Sequence, residues 1–372
     1  MEEYVNCTQR TSWDELTQMS LAVILEGQHP SGAFPAAPTF SQYNYCWLRD
    51  GTYIALSLLK RGYVEEVRSY IQWVADVIGR YSWKVERLPA LLRSGRERSM
   101  RWFLGARYTV EGEEDSSDWP NFQIDGYGSW LWLVAQFLQA TGQKAPSDWF
   151  ERFATVVDYL DLVWKLPNSD CWEEFEGHVH PATLACLVGG LRDIASYLRS
   201  DYTLRCTSLA EEISAFVIEH VHPDGYFPKF LGSEMVDASL IWLGVPYGVV
   251  ELDDPALRRT IERIETELAS KGGVKRYVKD TYYGGGEWVI LAAFLALYQL
   301  RIGNRMRAVQ LLEWITEQRS DDGYLPEQVL QSVNDPSMIS VWEQKWGRVA
   351  TPLLWSHAMF LLLEGELTGT TN

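Results

Sequence analysis

Residues 291–318 read LAAFLALYQLRIGNRMRAVQLLEWITEQ. The first ten carry almost no polar side chain, so a helix made of them has no wet face and is buried on all sides. A tight join from Arg301 to Asn304 leads into a charged, amphipathic stretch with one face for a core and one for water. The same alternation recurs along the chain. Apolar, small-residue stretches such as 181–191 (PATLACLVGGL) and 351–363 (TPLLWSHAMFLLL) contrast with charged ones such as 151–164 (ERFATVVDYLDLVW) and 258–271 (RRTIERIETELASK). An inner ring of fully buried helices, wrapped by an outer ring with one wet face, produces this pattern.

Ser12 followed by Glu15 reads as a capping box that opens the first helix. Helical spacing continues over about 50–59 and from 64 onward. It returns around 126–140, 149–164, 181–198, 202–220, 236–243, 254–270, 287–302, 304–318 and 352–365. About twelve helices and no alternating strand pattern make the chain all-α. Six long connections, 28–47, 110–124, 165–177, 222–235, 271–286 and 320–350, are rich in Trp, Tyr, Pro and Gly. One such loop after every second helix gathers all six at one end of a six-hairpin toroid, an (α/α)6 barrel. Long structured loops of this kind usually carry function. No linker or low-complexity stretch divides the chain, so residues 1–372 read as one domain.

The chain has 33 basic and 50 acidic side chains and a formal net charge of −17. That balance counts against nucleic acid as a partner and against docking on an anionic membrane. No basic-then-apolar leader opens the sequence, and the longest apolar run, 288–300, is shorter than the roughly 20 residues of a bilayer span. A cytoplasmic protein is expected. Five cysteines, Cys7, Cys46, Cys171, Cys186 and Cys206, form no C-x-x-C pair and read as reduced thiols. The 17 Trp, 19 Tyr and 13 Phe suit either the binding of sugar rings or a large helical core, and composition leaves both open.

Five loop segments concentrate polar and aromatic residues: 43–50 (YNYCWLRD), 118–126 (DWPNFQIDG), 170–175 (DCWEEF), 275–288 (KRYVKDTYYGGGEW) and 321–328 (DDGYLPEQ). Each has a plain reading alone. Arg49 and Asp50 form an ion pair at a helix N-terminus, and Glu173 and Glu174 form a solvated charge pair. The glycines at 284–286 lack the lysine and preceding strand of a phosphate-binding loop. His178 and His180 have no accompanying ligand set, so no metal is expected. There is no G-x-S-x-G elbow, and the acidic clusters of a terpene cyclase are missing. What remains is carboxylates among aromatics. Cleavage of a glycosidic bond needs a protonated carboxyl for the leaving oxygen and an ionised one on the other side of the sugar.

Taken in order, YNYCWLRD, 119–126 (WPNFQIDG), 172–174 (WEE), 276–283 (RYVKDTYY), 326–328 (PEQ) and 355–358 (WSHA) resemble glycoside hydrolase family 15, the glucoamylase family, over about residues 12–366. The resemblance implies an (α/α)6 barrel and an inverting, exo-acting α-glucosidic hydrolase that needs no cofactor and takes a glucose-containing oligosaccharide. It implies Glu173 as general acid, Glu327 as general base and Glu174 as a substrate-contacting carboxylate. Arg49 and Asp50 match the pair that grips the terminal glucose, and Arg276 matches a further sugar ligand. Tyr43, Trp47, Trp119 and Trp172 match the aromatic walls and the hydroxyl near the attacking water. Glu343, in VWEQKWG, is a rival base by local sequence but lacks the preceding Pro.

For that chemistry Glu173 must hold a proton near neutral pH, which burial against Trp172 and the negative neighbour Glu174 promote, while Glu327 must stay ionised. Inversion asks for carboxyls roughly 6.5–9.5 Å apart with a water between them, and it releases β-glucose.

The chain also departs from its larger relatives. It reads as a lone catalytic domain with no β-sandwich before it and no starch-binding module after residue 366. Glu287, followed by Trp288, stands where starch-degrading relatives more often have Pro, so both are counted with the substrate-binding residues and Glu287 is expected to shape the leaving-sugar subsite. This combination looks like the short bacterial members that act on small α-1,6-linked sugars such as isomaltose. The alternatives are an α-1,4-preferring or trehalose-cleaving member of the same family, and a non-catalytic sugar-binding toroid.

Overall fold

The computed structural model of the protein describes residues 7–115, 117, 119–269 and 272–370. Among them are twelve α-helices: α1 (Cys7–Gly27), α2 (Leu48–Leu59), α3 (Val64–Arg93), α4 (Asp125–Thr141), α5 (Ser147–Val163), α6 (Pro181–Ile194), α7 (Ser200–Glu219), α8 (Pro255–Glu267), α9 (Val289–Arg301), α10 (Arg305–Glu317), α11 (Ser337–Trp346) and α12 (Leu354–Thr368).

Burial sorts these helices into two rings. Every residue of α2 is buried, and α6, α9 and α12 are buried almost throughout. In α8 only Leu257, Thr260, Ile261 and Ile264 are buried, one stripe at helical spacing. The inner ring runs α2, α4, α6, the 3₁₀ helix Ala238–Leu243, α9 and α12, and α12 closes on α2. Outside it, α3 packs on α2, α7 on α6, α8 on the 3₁₀ helix, α10 on α9 and α1 on α12, while α5 packs on α3. This is the (α/α)6 barrel. At the closest approach, between α4 and α6, a Cβ on Gly190 would sit 2.1 Å from the Gly128 carbonyl oxygen, so only glycine fits there.

Three expectations change. The stretch read as a helix over 236–243 is a six-residue 3₁₀ helix, every residue of it buried. The Asp237 carboxylate caps it by accepting from the Ser239 N–H, and Gly244 and Pro246 stop it. Residues 320–350, read as a loop, contain α11. The first helix already runs from Cys7, so Ser12 lies inside it and its hydroxyl pairs with Arg319 at 3.1 Å instead of capping.

Among the described residues, strands are limited to two-residue ladders at one rim of the barrel. The strand β1 (Cys46–Trp47) pairs antiparallel with β2 (Arg107–Tyr108), and β4 (Glu287–Trp288) lies between β3 (Val274–Lys275) and β5 (Gln328–Val329). They tie the long loops together where those loops enter α2 and α9. Cys46, Cys171, Cys186 and Cys206 are buried free thiols, and the side chain of Cys7 lies outside the described residues. Among the described residues no helix is long and apolar enough to cross a membrane.

Candidate active site

The inner helices present their N-terminal ends to a pocket of about 630 Å³. Residues at the starts of α2 (Trp47, Arg49, Asp50), α9 (Trp288) and α12 (Leu353, Trp355) line it, together with the long loops. Of the residues expected at the site, Tyr43, Trp47, Arg49, Asp50, Trp119, Trp172, Glu173, Glu174, Arg276, Trp288 and Glu327 all reach this pocket. They come from segments up to nearly 300 residues apart, brought together by ring closure. Asp118, which opens one of the quoted segments, lies outside the described residues.

At the floor, Arg49 is buried between carboxylates: Nη1 lies 3.0 Å from Asp125 Oδ2, and Nε lies 3.3 Å from Asp50 Oδ1. Its Nη1 also donates to Gln123 Oε1 at 3.1 Å. Burial pushes the Asp50 carboxyl up to about 7, against the pull of Arg49 and with added repulsion from Glu173 and Asp125. Asp50 Oδ1 makes no hydrogen bond within the protein, although it is buried. A buried acceptor left open beside a guanidinium suits a neutral polyol, whose hydroxyls both donate and accept.

Glu173 sits in a strained turn with φ +69°. The N–H of Glu173 donates to the Asp170 carbonyl at 2.9 Å, while Asp170 Oδ1 accepts from the N–H groups of Trp172 and Glu174 at 3.0 and 2.9 Å. That turn swings neighbouring side chains apart. Trp172 is buried against Trp288, with its indole N–H on Asp237 Oδ2 at 3.0 Å. Glu173 is only half-buried, and its aromatic partner is Trp47, whose indole N–H donates to Glu173 Oε1. The expected burial of Glu173 against Trp172 is therefore replaced by a contact from across the pocket. Gln123 Nε2 donates to the same oxygen at 3.1 Å.

Glu174 faces the other way. It accepts from Arg276 Nη2 at 3.2 Å and from the Tyr277 hydroxyl at 2.5 Å, and burial raises its pKa. Arg276 is held by Asp280, 2.7 Å from its Nε, inside a ring of Trp172, Tyr277, Tyr282 and Trp288 whose centroids lie 5.2–5.6 Å from the guanidinium carbon. Arg107, paired with Asp115, stacks on Trp119 at 3.7 Å and braces that wall of the pocket.

Glu327 is buried at 3% exposure, and its Oε2 makes no hydrogen bond within the protein. Burial pushes its carboxyl up to about 8; hydrogen bonds from Tyr43 and Tyr282 and the Arg276 charge oppose that, and Asp50 adds to it. The expectation of a freely ionised carboxylate thus meets a buried site that favours the protonated form. The Tyr43 and Tyr282 hydroxyls lie 2.5 Å apart beside it. Behind Glu327, His357 Nε2 accepts the Leu325 N–H at 3.0 Å, and Ser356 donates to the Pro326 carbonyl at 2.7 Å. The Glu327 N–H itself reaches the Ala350 carbonyl at 2.9 Å.

One expectation falls away here, and the rival base is set aside. Glu287 does not line the pocket. In a strand, successive side chains take opposite faces, so with Trp288 turned into the pocket Glu287 turns behind it, close to Gly273 and the Trp314 side. Glu343 is exposed on α11, whereas Trp342, Lys345 and Trp346 of the same helix line the pocket. Trp346 stacks on Trp119 with centroids 5.7 Å apart and planes at 27°, so α11 forms part of the mouth. Sequence reasoning missed α11, Lys229 and Asp237, and it quoted Gln123, Asp170, Asp280 and Tyr282 within its segments without giving them a role. His180 is buried with Nε2 on the Asn168 and Phe175 carbonyls, and among the described residues no three His, Cys, Asp or Glu side chains gather as metal ligands. A larger cavity of about 740 Å³ opens at the C-terminal ends of the inner helices, where Arg301 pairs with Glu366 and Gln136 with Asp193. It contains none of the quoted motifs.

The sequence profile of the glycosyl hydrolases family 15 matches residues 11–313. The chain is 38% identical to an isomaltose glucohydrolase of Kribbella flavida over 95% of this chain and 92% of that protein. A solved glycosidase variant in complex with glucose superposes with a TM-score of 0.94 at 36% identity, covering 99% of this chain and 100% of that one. Trehalase 1 of Sulfolobus acidocaldarius is 24% identical over 81% of this chain, which spans 56% of that protein's length.

Proposed function

The chain belongs to the glycosyl hydrolases family 15, and from this premise we propose that it is an inverting, exo-acting α-glucosidase that releases β-glucose from short oligosaccharides, α-1,6-linked isomaltose first among them. The observation that carries the proposal is the presence of Glu173 and Glu327 in one aromatic-walled pocket of about 630 Å³, within the usual range of small-molecule sites. The likeness to an isomaltose glucohydrolase over nearly the full length of both proteins supports the substrate.

In this reading the terminal glucose stands on Arg49 and Asp50, with Glu174, Arg276 and the Trp172 and Trp288 rings around it. Glu173 gives its proton to the glycosidic oxygen as the C1–O bond breaks. A water beside Tyr43 attacks C1 from the opposite face and yields a proton to Glu327. The enzyme ends with Glu173 ionised and Glu327 protonated, and a proton exchange through water resets it. Trp47 and Gln123 both donate to Glu173 Oε1, so that oxygen is an acceptor and the transferable proton belongs on Oε2. Glu327 must first lose the proton that burial favours, and Tyr43, Tyr282 and Arg276 stabilise the ionised form. The Trp119–Trp346 stack at the mouth favours short substrates by narrowing the leaving-sugar side.

The test is glucose release from equal concentrations of isomaltose, maltose, trehalose and a longer dextran, with the anomer of the first product read by NMR. Isomaltose is expected to lead, with β-glucose formed first. A lead for maltose or trehalose replaces the substrate, and α-glucose as first product rejects inversion. No release from any of the four leaves a sugar-binding toroid.

A further inference from the structure

Lys229 lies on the loop between α7 and the 3₁₀ helix and is 2% exposed, yet it touches neither the pocket nor bulk solvent. Its ammonium lies 2.8 Å from Asp170 Oδ2 and 2.5 Å from Asp237 Oδ2, under the Tyr277 ring at 4.0 Å and beside Phe175 at 4.8 Å. Burial works against the ammonium, but the two aspartates hold its pKa above the ordinary lysine value. Burial likewise works against the Asp170 carboxylate, but Lys229 holds its pKa below the ordinary range. Both groups are therefore charged in the interior, an arrangement a fold keeps at a desolvation cost that apolar residues of similar volume avoid.

Each aspartate in turn holds part of the Glu173 loop. Asp170 Oδ1 accepts from the N–H groups immediately before and after Glu173, and its carbonyl accepts the N–H of Glu173 itself. Asp237 accepts the indole N–H of Trp172 while also capping the 3₁₀ helix through Ser239. Three consecutive amides thus converge on one residue, and a turn with φ +69° at Glu173 is otherwise costly for a side chain with a Cβ.

We propose that Lys229 is the positioning residue of this loop: by clamping Asp170 to Asp237 it fixes the backbone on both sides of Glu173 and aims that carboxyl at the leaving oxygen. The proposal rests on the reading of Glu173 as the general acid. It assigns Lys229 no contact with substrate; it acts through Asp170.

The test uses Lys229→Met, and Lys229→Met combined with Asp237→Asn so that one buried carboxylate fewer is left unpaired. Each is assayed on the preferred disaccharide and on α-glucosyl fluoride, whose fluoride leaves with little need of a proton. With the acid displaced by an ångström or so, kcat on the disaccharide is expected to fall about 100-fold. Turnover of the fluoride stays within about threefold, because the base on the far side of the pocket is untouched. Undiminished disaccharide turnover, or an equal loss on both substrates, in both variants overturns the clamp. Glu173→Gln run in parallel keeps the two readings apart: it is expected to show the same split between substrates, and an equal loss there overturns the acid assignment itself.

Discussion

Trp47 donates its indole N–H to Oε1 of Glu173, 126 residues away in the chain. Trp47 is placed by its ladder with Arg107, at the entrance to a helix buried along its whole length, so the donor is as rigid as the barrel. Trp47→Phe keeps most of the ring and removes the donor. A hydrogen bond to a carboxyl is worth about 1.5 kcal/mol, so kcat on a disaccharide is expected to drop about tenfold with KM little changed. Steady-state kinetics checks this; a rise in KM alone means that the ring serves sugar binding and that its N–H does not steer the acid.

The pH dependence has a definite sign. A base must be ionised, and burial pushes Glu327 up to about 8, so kcat/KM is expected to climb with pH through an apparent value near 8, shared with Asp50 at about 7. Tyr43→Phe removes a hydrogen bond that lowers the Glu327 value, so this limb moves to higher pH. Stability runs the other way. Two carboxyls with folded pKa values above their unfolded ones favour the fold fully at pH below 4 and lose that contribution as pH rises through 7 and 8. Thermal melts from pH 5 to 9 are expected to show Tm falling in the native protein and falling less in Glu327→Gln. A Tm that rises over this range contradicts the burial argument.

The ring architecture was legible because buried and amphipathic helices differ in composition, as α9 and α10 do. The fourth inner element was not legible as it stands. Ala238–Leu243 is apolar throughout, and a short apolar run has the same look in a helix, a strand or a 3₁₀ turn. α11 was lost because it buries no residue fully: Met338, Ile339, Trp342 and Trp346 form a half-buried stripe on a helix only ten residues long, inside a loop rich in polar residues. The signal that finds it is local, Asp335 before Pro336, with the Asp335 carboxylate accepting from the Ser337 N–H at 3.0 Å. Of the motif residues at the pocket, Trp47, Arg49, Asp50 and Trp288 stand at helix entrances, whereas Glu173, Arg276 and Glu327 lie within loops and were legible only through the motifs that carry the family resemblance. Lys229 and Asp237 were not, because their partners lie 59 and 65 residues away or fall in loops whose path the sequence does not dictate.

Substrate length separates α11 from Glu287. Trp346 stacks on Trp119 at the mouth, whereas Glu287 turns behind Trp288. Trp346→Ala opens the mouth, and the ratio of kcat/KM for a longer dextran over isomaltose is expected to rise about tenfold, the scale of losing one aromatic wall. Glu287→Gln keeps the shape and is expected to leave that ratio unchanged. If Glu287→Gln shifts the ratio and Trp346→Ala does not, the leaving sugar is recognised through β4 and α11 is only a brace.

His357 gives the base-side counterpart. Burial holds its pKa down to about 3, so the ring is neutral at ordinary pH. Since Nε2 accepts the Leu325 N–H, the proton sits on Nδ1 and is donated to Ser20 Oγ at 2.8 Å. His357→Leu leaves the buried Leu325 N–H, two residues before Glu327, without its acceptor, at a cost of about 1–3 kcal/mol in stability. Loosening the segment that carries the base slows attack by water whatever the leaving group. Turnover of the disaccharide and of α-glucosyl fluoride is therefore expected to fall together, by about tenfold, which a displaced acid does not produce. His357→Gln returns an acceptor at similar reach and is expected to recover part of both rates; a loss confined to the disaccharide would instead move His357 to the acid side of the pocket.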